Sequence, residues 1–412
     1  MNIIDLFSGA GGLTEGFSKE GYEIIAHVEK DKNACKTLET RLAYKFLKKM
    51  NKEHYYKSYV QGNLSRNLFL DKAKNLGFNS DSVICDEINL DTLDSIFGKI
   101  DELKGAKSIS GIIGGPPCQA YSTIGRPMNS LKKDKDDRIY LYKLYIQFLI
   151  RYTPDFFLFE NVKGLLSFKD QFNDILLEKI ISDFESVGYS VSMKIINAAE
   201  YGVPQSRERL FIFGCKSNVK FFEKLETKKE EPVTLETLFS DLPKIFPNEE
   251  ADTYLDNKVS DNSIGNRLRL RESGWDLLTY HKARPQNSND LAIYKIVSNN
   301  RKKGKLIKYN ELPEDLKTHK NNHSFLDRYK ALDGKSISHT VVAHISKDGH
   351  YYIHYDESQN RSITVREAAR IQTFPDDFYF ETSRTAAFVQ IGNAVPPYLS
   401  QKIANTIKEL VR

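Results

Sequence analysis

Cys118 stands in a setting that packing explains poorly. It follows Pro116-Pro117, and each proline locks its φ angle near about −65°. A thiol mounted that rigidly suits a nucleophile, which needs a fixed and accessible position. A second candidate is Glu160, which follows the apolar run Phe156 to Phe159. A carboxyl group there can hold or deliver a proton. Arg207 and Arg209 flank Glu208. In extended chain, residues two apart share a face, and two guanidiniums on one face suit an anion or a carbonyl oxygen. Each feature has a plain reading beside the chemical one: a small buried cysteine, a helix N-terminal acid, a surface ion-pair cluster. The glycine turn Ser8-Gly9-Ala10-Gly11-Gly12 follows a short apolar run. Glycines let backbone approach a ligand, and a following helix N-terminus is partly positive. Glu29 closes the next apolar run, where an acid can accept both ribose hydroxyls of a nucleoside. The turn is G-x-G-G and lacks the G-x-G-x-x-G of a dinucleotide site.

These residues need elements to carry them. Apolar runs at Ile3 to Phe7, Tyr22 to Val28, Ser82 to Cys85, Ile109 to Ile113, Phe156 to Phe159, Val191 to Ile196 and Leu210 to Phe213 read as strands. Helical stretches separate them, so the expectation is an α/β fold with a doubly wound, mostly parallel sheet. Most candidates fall just after a strand, where open α/β sheets bind ligands; Asp5 lies within the first strand. A segment at 41–81 reads as a helical insertion. After Gly214 the periodicity weakens, and Lys, Glu, Asn and Tyr accumulate. The expected division is 1–215 for a catalytic and cofactor-binding domain, 216–380 for a smaller irregular domain, and 381–412 for a segment returning to the first. Thr364 with Glu367 forms a capping box for a helix to Gln372. Residues 390–397 form a turn into a final helix.

Bulk properties exclude some classes. The 412 residues fit two domains. A net charge of +5 decides little. The four cysteines, at 35, 85, 118 and 215, show no C-x-x-C spacing, which argues against a structural zinc or a disulfide framework. No apolar run approaches the roughly 20 residues of a membrane span. The N-terminus lacks the marks of a signal peptide, so a cytoplasmic location is expected.

Six segments together resemble the DNA cytosine-C5 methyltransferase family of bacterial restriction–modification systems. They are DLFSGAGGLTEGF at 5–17, GGPPCQAYS at 114–122, ENVKG at 160–164, YGVPQSRERLFIFG at 201–214, RSITVREAARIQTFPDDF at 361–378 and QIGNAVPP at 390–397. The resemblance implies a sheet of the S-adenosylmethionine-dependent methyltransferase type and that cofactor. It implies that Phe7, Gly9, Ala10, Gly11, Glu29, Asp86, Pro117, Leu141 and Asn393 hold the cofactor. Phe7 would lie against the adenine, Glu29 would take the ribose hydroxyls, and Asp86 the adenine amino group. Cys118 would attack carbon 6 of a flipped-out cytosine, and Glu160 would hold the N3 edge of the base. Arg207 and Arg209 would position base and thiolate. Gln119 and Ser122 would begin a loop that closes on DNA, with Arg138 beyond it. No metal is implied. The implied partners are double-stranded DNA and a cognate restriction endonuclease, with no membrane and a monomeric chain.

The residues 216–380 would then read the target site, with Arg267, Arg269, Arg271 and Arg301-Lys302-Lys303 as candidate phosphate contacts. Two departures stand out: the insertion at 41–81 is longer than the family's usual segment, and Cys85 replaces the usual glycine before Asp86. The alternatives are a tRNA cytosine-C5 methyltransferase and a catalytically silent DNA-binding relative. The complete set of Cys118, Glu160, Arg207 and Arg209 argues against the second.

Overall fold

The computed structural model describes residues 1–117, 140–170, 172–255, 267–268, 270–272, 274–318, 321 and 323–411. Cys118, Gln119, Ser122, Arg138 and Arg269 lie outside them. In the first half the elements run β1 (Asn2–Leu6), α1 (Gly12–Lys19), β2 (Glu23–Glu29), α2 (Lys32–Lys49), α3 (His54–Val60), α4 (Arg66–Lys74), β3 (Val83–Cys85), α5 (Leu93–Lys104) and β4 (Gly111–Gly114). There follow α6 (Leu141–Tyr152), β5 (Phe156–Val162), α7 (Leu176–Ser186), β6 (Ser190–Asn197), β7 (Gln205–Ser206) and β8 (Glu208–Cys215). The remainder holds α8 (Phe221–Glu226), α9 (Leu235–Leu238), α10 (Ser288–Lys302), β9 (Ser338–His339), α11 (Val365–Ile371), α12 (Arg384–Asn393) and α13 (Pro397–Leu410).

Seven strands form one sheet in the order β3-β2-β1-β4-β5-β8-β6. The first five are mutually parallel, and β8 runs antiparallel to both β5 and β6. The doubly wound expectation is met. Strand order reverses between β1 and β4, where Leu6 pairs with Gly114. That switch point is where an open α/β sheet leaves its crevice. Gly114 is required there: it sits at φ 138, and a Cβ would meet the Leu6 carbonyl oxygen at 1.9 Å.

Both faces of the sheet are covered. One core gathers Ile4, Val28, Ile112, Phe157 and Phe159 with α5, α6 and α7; the other gathers Ile3, Ile113, Phe156, Leu158 and Phe211 with α1 and α13. A third core joins Leu235, Leu238, Leu270, Leu278 and Val341 to α11 and α12, and takes in Ala10 of the glycine turn. Around α10 lies a smaller cluster of Ile293, Tyr294, Tyr309, Tyr329 and Ile353. The capping box reads as expected: the Thr364 hydroxyl accepts the Glu367 N–H, and Glu367 accepts the Thr364 N–H.

One strand runs longer than expected, and the insertion is helical as expected. The strand expected at Phe156 to Phe159 continues to Val162, because β8 keeps pairing with it: Glu160 faces Phe211 and Val162 faces Arg209. The insertion is built from the end of α2 with α3 and α4, around Tyr44, Tyr56, Phe69, Phe78 and Trp275. It clasps the chain far downstream: Lys57 donates to the Gly274 carbonyl, and the Tyr56 hydroxyl to that of Asp377. No helix of the described residues is long and apolar enough to cross a membrane.

Candidate active site

The glycine turn leaves β1 through an unusual backbone. Phe7, Gly9 and Gly11 all take positive φ, at 56°, 55° and 83°. For Phe7 this is a strained conformation of the kind concentrated at ligand sites. It turns the chain at the switch point and leaves the Phe7 ring half-buried. A Cβ at Gly9 would meet nothing within 4 Å, so bare backbone faces open space there. Gly11 is tighter, with Leu38 Cδ2 at 2.8 Å from such a Cβ.

Glu29 ends β2 beside this turn. Its Oε2 accepts the Gly9 N–H at 2.7 Å, and its Oε1 accepts the Asp31 N–H at 2.8 Å. A carboxylate has about four lone-pair sites, so two remain for hydroxyl donors. Burial pushes the Glu29 carboxyl up, and the N–H donors of Asp31 and Gly9 pull against it. Cys85 pairs with Glu29 across β2 and β3, and the Asp86 N–H donates to the Glu29 carbonyl at 3.0 Å. The half-buried Asp86 carboxylate lies 3.6 Å from Lys99. Leu141 opens α6 half-buried, and Asn393 ends α12 exposed. Ala10 turns its methyl into the third core, so only its backbone can serve a ligand. A nucleoside-bearing cofactor fits this arrangement: a free-faced glycine, an aromatic ring, and a carboxylate with acceptor capacity to spare.

On the far side of the switch point, Gly115-Pro116-Pro117 rises from β4 against β5. A Cβ at Gly115 would meet the Glu160 carbonyl oxygen at 2.2 Å and Glu160 Oε2 at 3.1 Å. Glycine therefore lets the backbone just before the proline pair pack directly on Glu160. Asn161, fully buried, donates from Nδ2 to the Pro116 carbonyl at 3.3 Å. The mount of Cys118 is thus tied to β5. Arg209 lies next to Glu160, with Nε 3.1 Å from Oε1. Burial raises the Glu160 carboxyl, while Arg209 and then Arg207 pull it down; the net direction is up. Arg207 points elsewhere. It is buried and donates to the Val341 carbonyl at 2.8 Å and the Gly392 carbonyl at 3.1 Å.

A model of the C-5 cytosine-specific DNA methylase family matches residues 1–57 and 77–409. The chain belongs to that family. It is 39% identical to the type II methyltransferase M.Bpa9945I of Bacillus paralicheniformis, covering 100% of this chain and 99% of the relative. It is 31% identical to the type II methyltransferase M.DdeI of Desulfomicrobium norvegicum, covering 99% and 88%. Among solved structures, a prophage-encoded DNA modification methyltransferase from E. coli shares the fold, with TM-score 0.63, 22% identity and coverage of 100% and 99%. The S. pombe Dnmt2 methyltransferase does so with TM-score 0.53, 12% identity and coverage of 99% and 98%.

Membership makes the chain a DNA (cytosine-5-)-methyltransferase. The family match skips residues 58–76, which hold the end of α3 and all of α4. The structure brings together Phe7, Gly9, Glu29 and Asp86 on one side of the switch point. On the other it brings Gly115, Glu160 and Arg209 together, with Asn161 bonded to Pro116. It does not pair Arg207 with Glu160. Reading the motifs gave Asn161 no role, although it lies directly after Glu160. Its signal was available: a side-chain amide inside a strand is costly to bury without a partner. Arg271 needs correction as a phosphate contact. It is buried, donates to the Trp275 carbonyl and lies over the Tyr254 ring at 3.8 Å. Arg301 pairs with Asp333 at 3.2 Å, and Lys302 with Glu357 at 2.7 Å. Among the described residues no cluster of His, Cys, Asp or Glu could hold a metal ion.

Proposed function

We propose that this family member transfers a methyl group from S-adenosylmethionine to carbon 5 of a cytosine flipped out of a specific double-stranded DNA sequence, through a covalent Cys118 adduct at carbon 6. The observation that carries the reading is the close packing of Gly115 on Glu160, with Asn161 bonding Pro116 and Arg209 beside the carboxyl.

Phe7, Gly9, Gly11, Glu29 and Asp86 would hold the cofactor, with Pro117, Leu141 and Asn393 at its margins. When bound, it supplies an electrophilic methyl group. The protein must do the rest. Carbon 5 of cytosine is a poor nucleophile. Addition of the Cys118 thiolate to carbon 6 converts the ring to an enamine, splitting one hard step into two. A free thiol has a pKa of about 8.5 and is mostly protonated at neutral pH, so neighbouring positive charge from Arg209 favours the thiolate. The raised Glu160 carboxyl suits a proton donor or hydrogen-bond partner at N3, where electron density accumulates during addition. After methyl transfer the carbon 5 proton leaves and the thiolate is eliminated. Flipping the base costs a few kcal/mol, and DNA contacts must supply it. Residues 216–380 would hold the duplex and read the site. A cognate restriction endonuclease acting on the same site would be its partner, a reading supported by the likeness to type II methyltransferases.

The test is adduct trapping. Duplex DNA made with 5-fluorodeoxycytidine blocks loss of the carbon 5 substituent, so the covalent intermediate persists. With S-adenosylmethionine present, the wild-type chain should form a DNA adduct stable to denaturing gels, and Cys118→Ser should form none. An adduct that survives in Cys118→Ser, or wild-type turnover with no trapping, would remove Cys118 as nucleophile.

A further inference from the structure

Between β5 and α7 the chain makes a turn whose frame is rigid and whose tip is apolar. Its ends are fixed, since Phe168 and Leu176 are both buried in the sheet core. Lys169 and Ile175 form an antiparallel bridge across its base. The buried Asp170 carboxylate organises the interior. One oxygen accepts the N–H groups of Phe172 at 2.9 Å and Asp174 at 3.1 Å, and the other accepts the Lys179 ammonium at 2.7 Å. Asn173 takes the left-handed conformation at φ 66. At the tip, Phe172 is 70% exposed, with Ile175 36% exposed beside it.

Nothing in this frame needs a phenyl ring at the tip. The bonds that hold the turn come from backbone and from Asp170, and a small polar residue would close it equally well. One lone exposed apolar residue is ordinary. This one sits on a braced support, its ring centre 5.4 Å from the Lys179 ammonium; exposed Lys169 opens the same turn, and exposed Lys163, paired with Glu208 at 2.9 Å, precedes it in the chain. Topology fixes where the turn lies. It leaves β5 toward a helix that crosses to β6, so it emerges at the carboxyl edge of the sheet. Glu160 is on the same strand, and the neighbouring β4 leads into Pro116-Pro117. The aromatic tip and its lysines therefore border the reaction face.

We propose that the described residues of this turn, Lys169, Asp170 and 172–175, form a DNA-contacting finger. Phe172 lies against a base or deoxyribose of the duplex beside the flipped cytosine, and Lys163 and Lys169 meet neighbouring phosphates. Flipping one base exposes the faces of its stacked neighbours, and aromatic side chains cover such faces irrespective of base identity. Lysines supply the sequence-independent part of the contact. The inference rests on the chain acting on duplex DNA.

The experiment measures transfer of tritiated methyl groups from S-adenosylmethionine to unmethylated plasmid DNA by wild type, Phe172→Ala and Phe172→Trp. Phe172→Ala should raise KM for DNA by about tenfold, with KM for S-adenosylmethionine and the melting temperature unchanged. Phe172→Trp should restore KM for DNA. An unchanged KM for DNA in Phe172→Ala would overturn the finger. So would a rise accompanied by a lower melting temperature and a higher KM for the cofactor, which would mark Phe172 as structural. A wild-type chain that transfers no methyl group to DNA would overturn the underlying reading, and the finger with it.

Discussion

Glu29 shapes the turn that it is proposed to serve. Each of its oxygens already accepts a backbone N–H, from Gly9 and from Asp31, and each keeps a lone pair. Glu29→Ala would lose ligand bonds and release the Gly9 turn together. The expected loss of S-adenosylmethionine affinity is about 1–3 kcal/mol, read by calorimetry; unchanged affinity would remove Glu29 from the site. Beneath the same turn, Asp5 is fully buried with Oδ2 on the Thr14 hydroxyl, which also lies 3.2 Å from His27 Nδ1. Burial pushes the Asp5 carboxyl up to about 7, against the Thr14 bond and with help from Glu29. Burial also drives His27 down to about 3, so it stays neutral. The folded chain therefore keeps a proton on Asp5 that the unfolded chain releases above its ordinary value of 3.8. Stability from this group is complete below that value and is lost as pH rises toward about 7. Asp5→Asn should flatten the fall in denaturant-unfolding free energy between about pH 4 and about pH 7, the window set by the unfolded and folded values. Parallel wild-type and variant curves over that range would contradict the assignment.

At the scale of elements, the site depends on backbones lying unusually close. Gly12 and Gly16 place α1 directly on the chain around α13: a Cβ at Gly12 would meet the Val395 carbonyl at 2.3 Å, and one at Gly16 would meet Gln401 N at 2.4 Å. This contact seats the helix that follows the cofactor turn against the last helix of the chain. Gly16→Val should lower stability by about 1–3 kcal/mol through overpacking, seen as a lower melting temperature; an unchanged melting temperature would show that the helices separate freely. The alternation of strands with helices was legible in sequence because each apolar run ends in a turn residue. The strand through Glu160 and Asn161 was cut short, since polar residues look like a strand end. Only the continued pairing of β8 carries it on. The motifs gave Glu160 and Arg209 as neighbours in role, and the structure pairs them. Arg207 could not be read in the same way: its partners Val341 and Gly392 lie 134 and 185 residues downstream. Arg271 looked like an exposed cation for a different reason: Trp275, which it bonds, is only 4 residues away, but the segment has no regular period that would mark it as buried against Trp275 and Tyr254.

The whole molecule joins three cores at the switch point of one sheet. Ala10 links the cofactor turn to the core formed by 233–278 and 332–394. Arg207 extends from the edge of β8 to carbonyls at Val341 and Gly392. Short β7 pairs with β9, and the Gln205 side chain bonds both Gln372 and the Val341 N–H. The insertion reaches across to Gly274, Asp276 and Asp377. Through these ties the region proposed to read DNA and the face proposed to do chemistry are held to each other. The central claim is that this assembly methylates carbon 5 of cytosine in one DNA sequence with Cys118 as nucleophile. Bisulfite sequencing of DNA from cells that lack cytosine methylation and express this chain tests it most directly. The account predicts protected cytosines in a single sequence context with wild type, and none with Cys118→Ser. No protected cytosine with wild type, or protection that persists in Cys118→Ser, would contradict it.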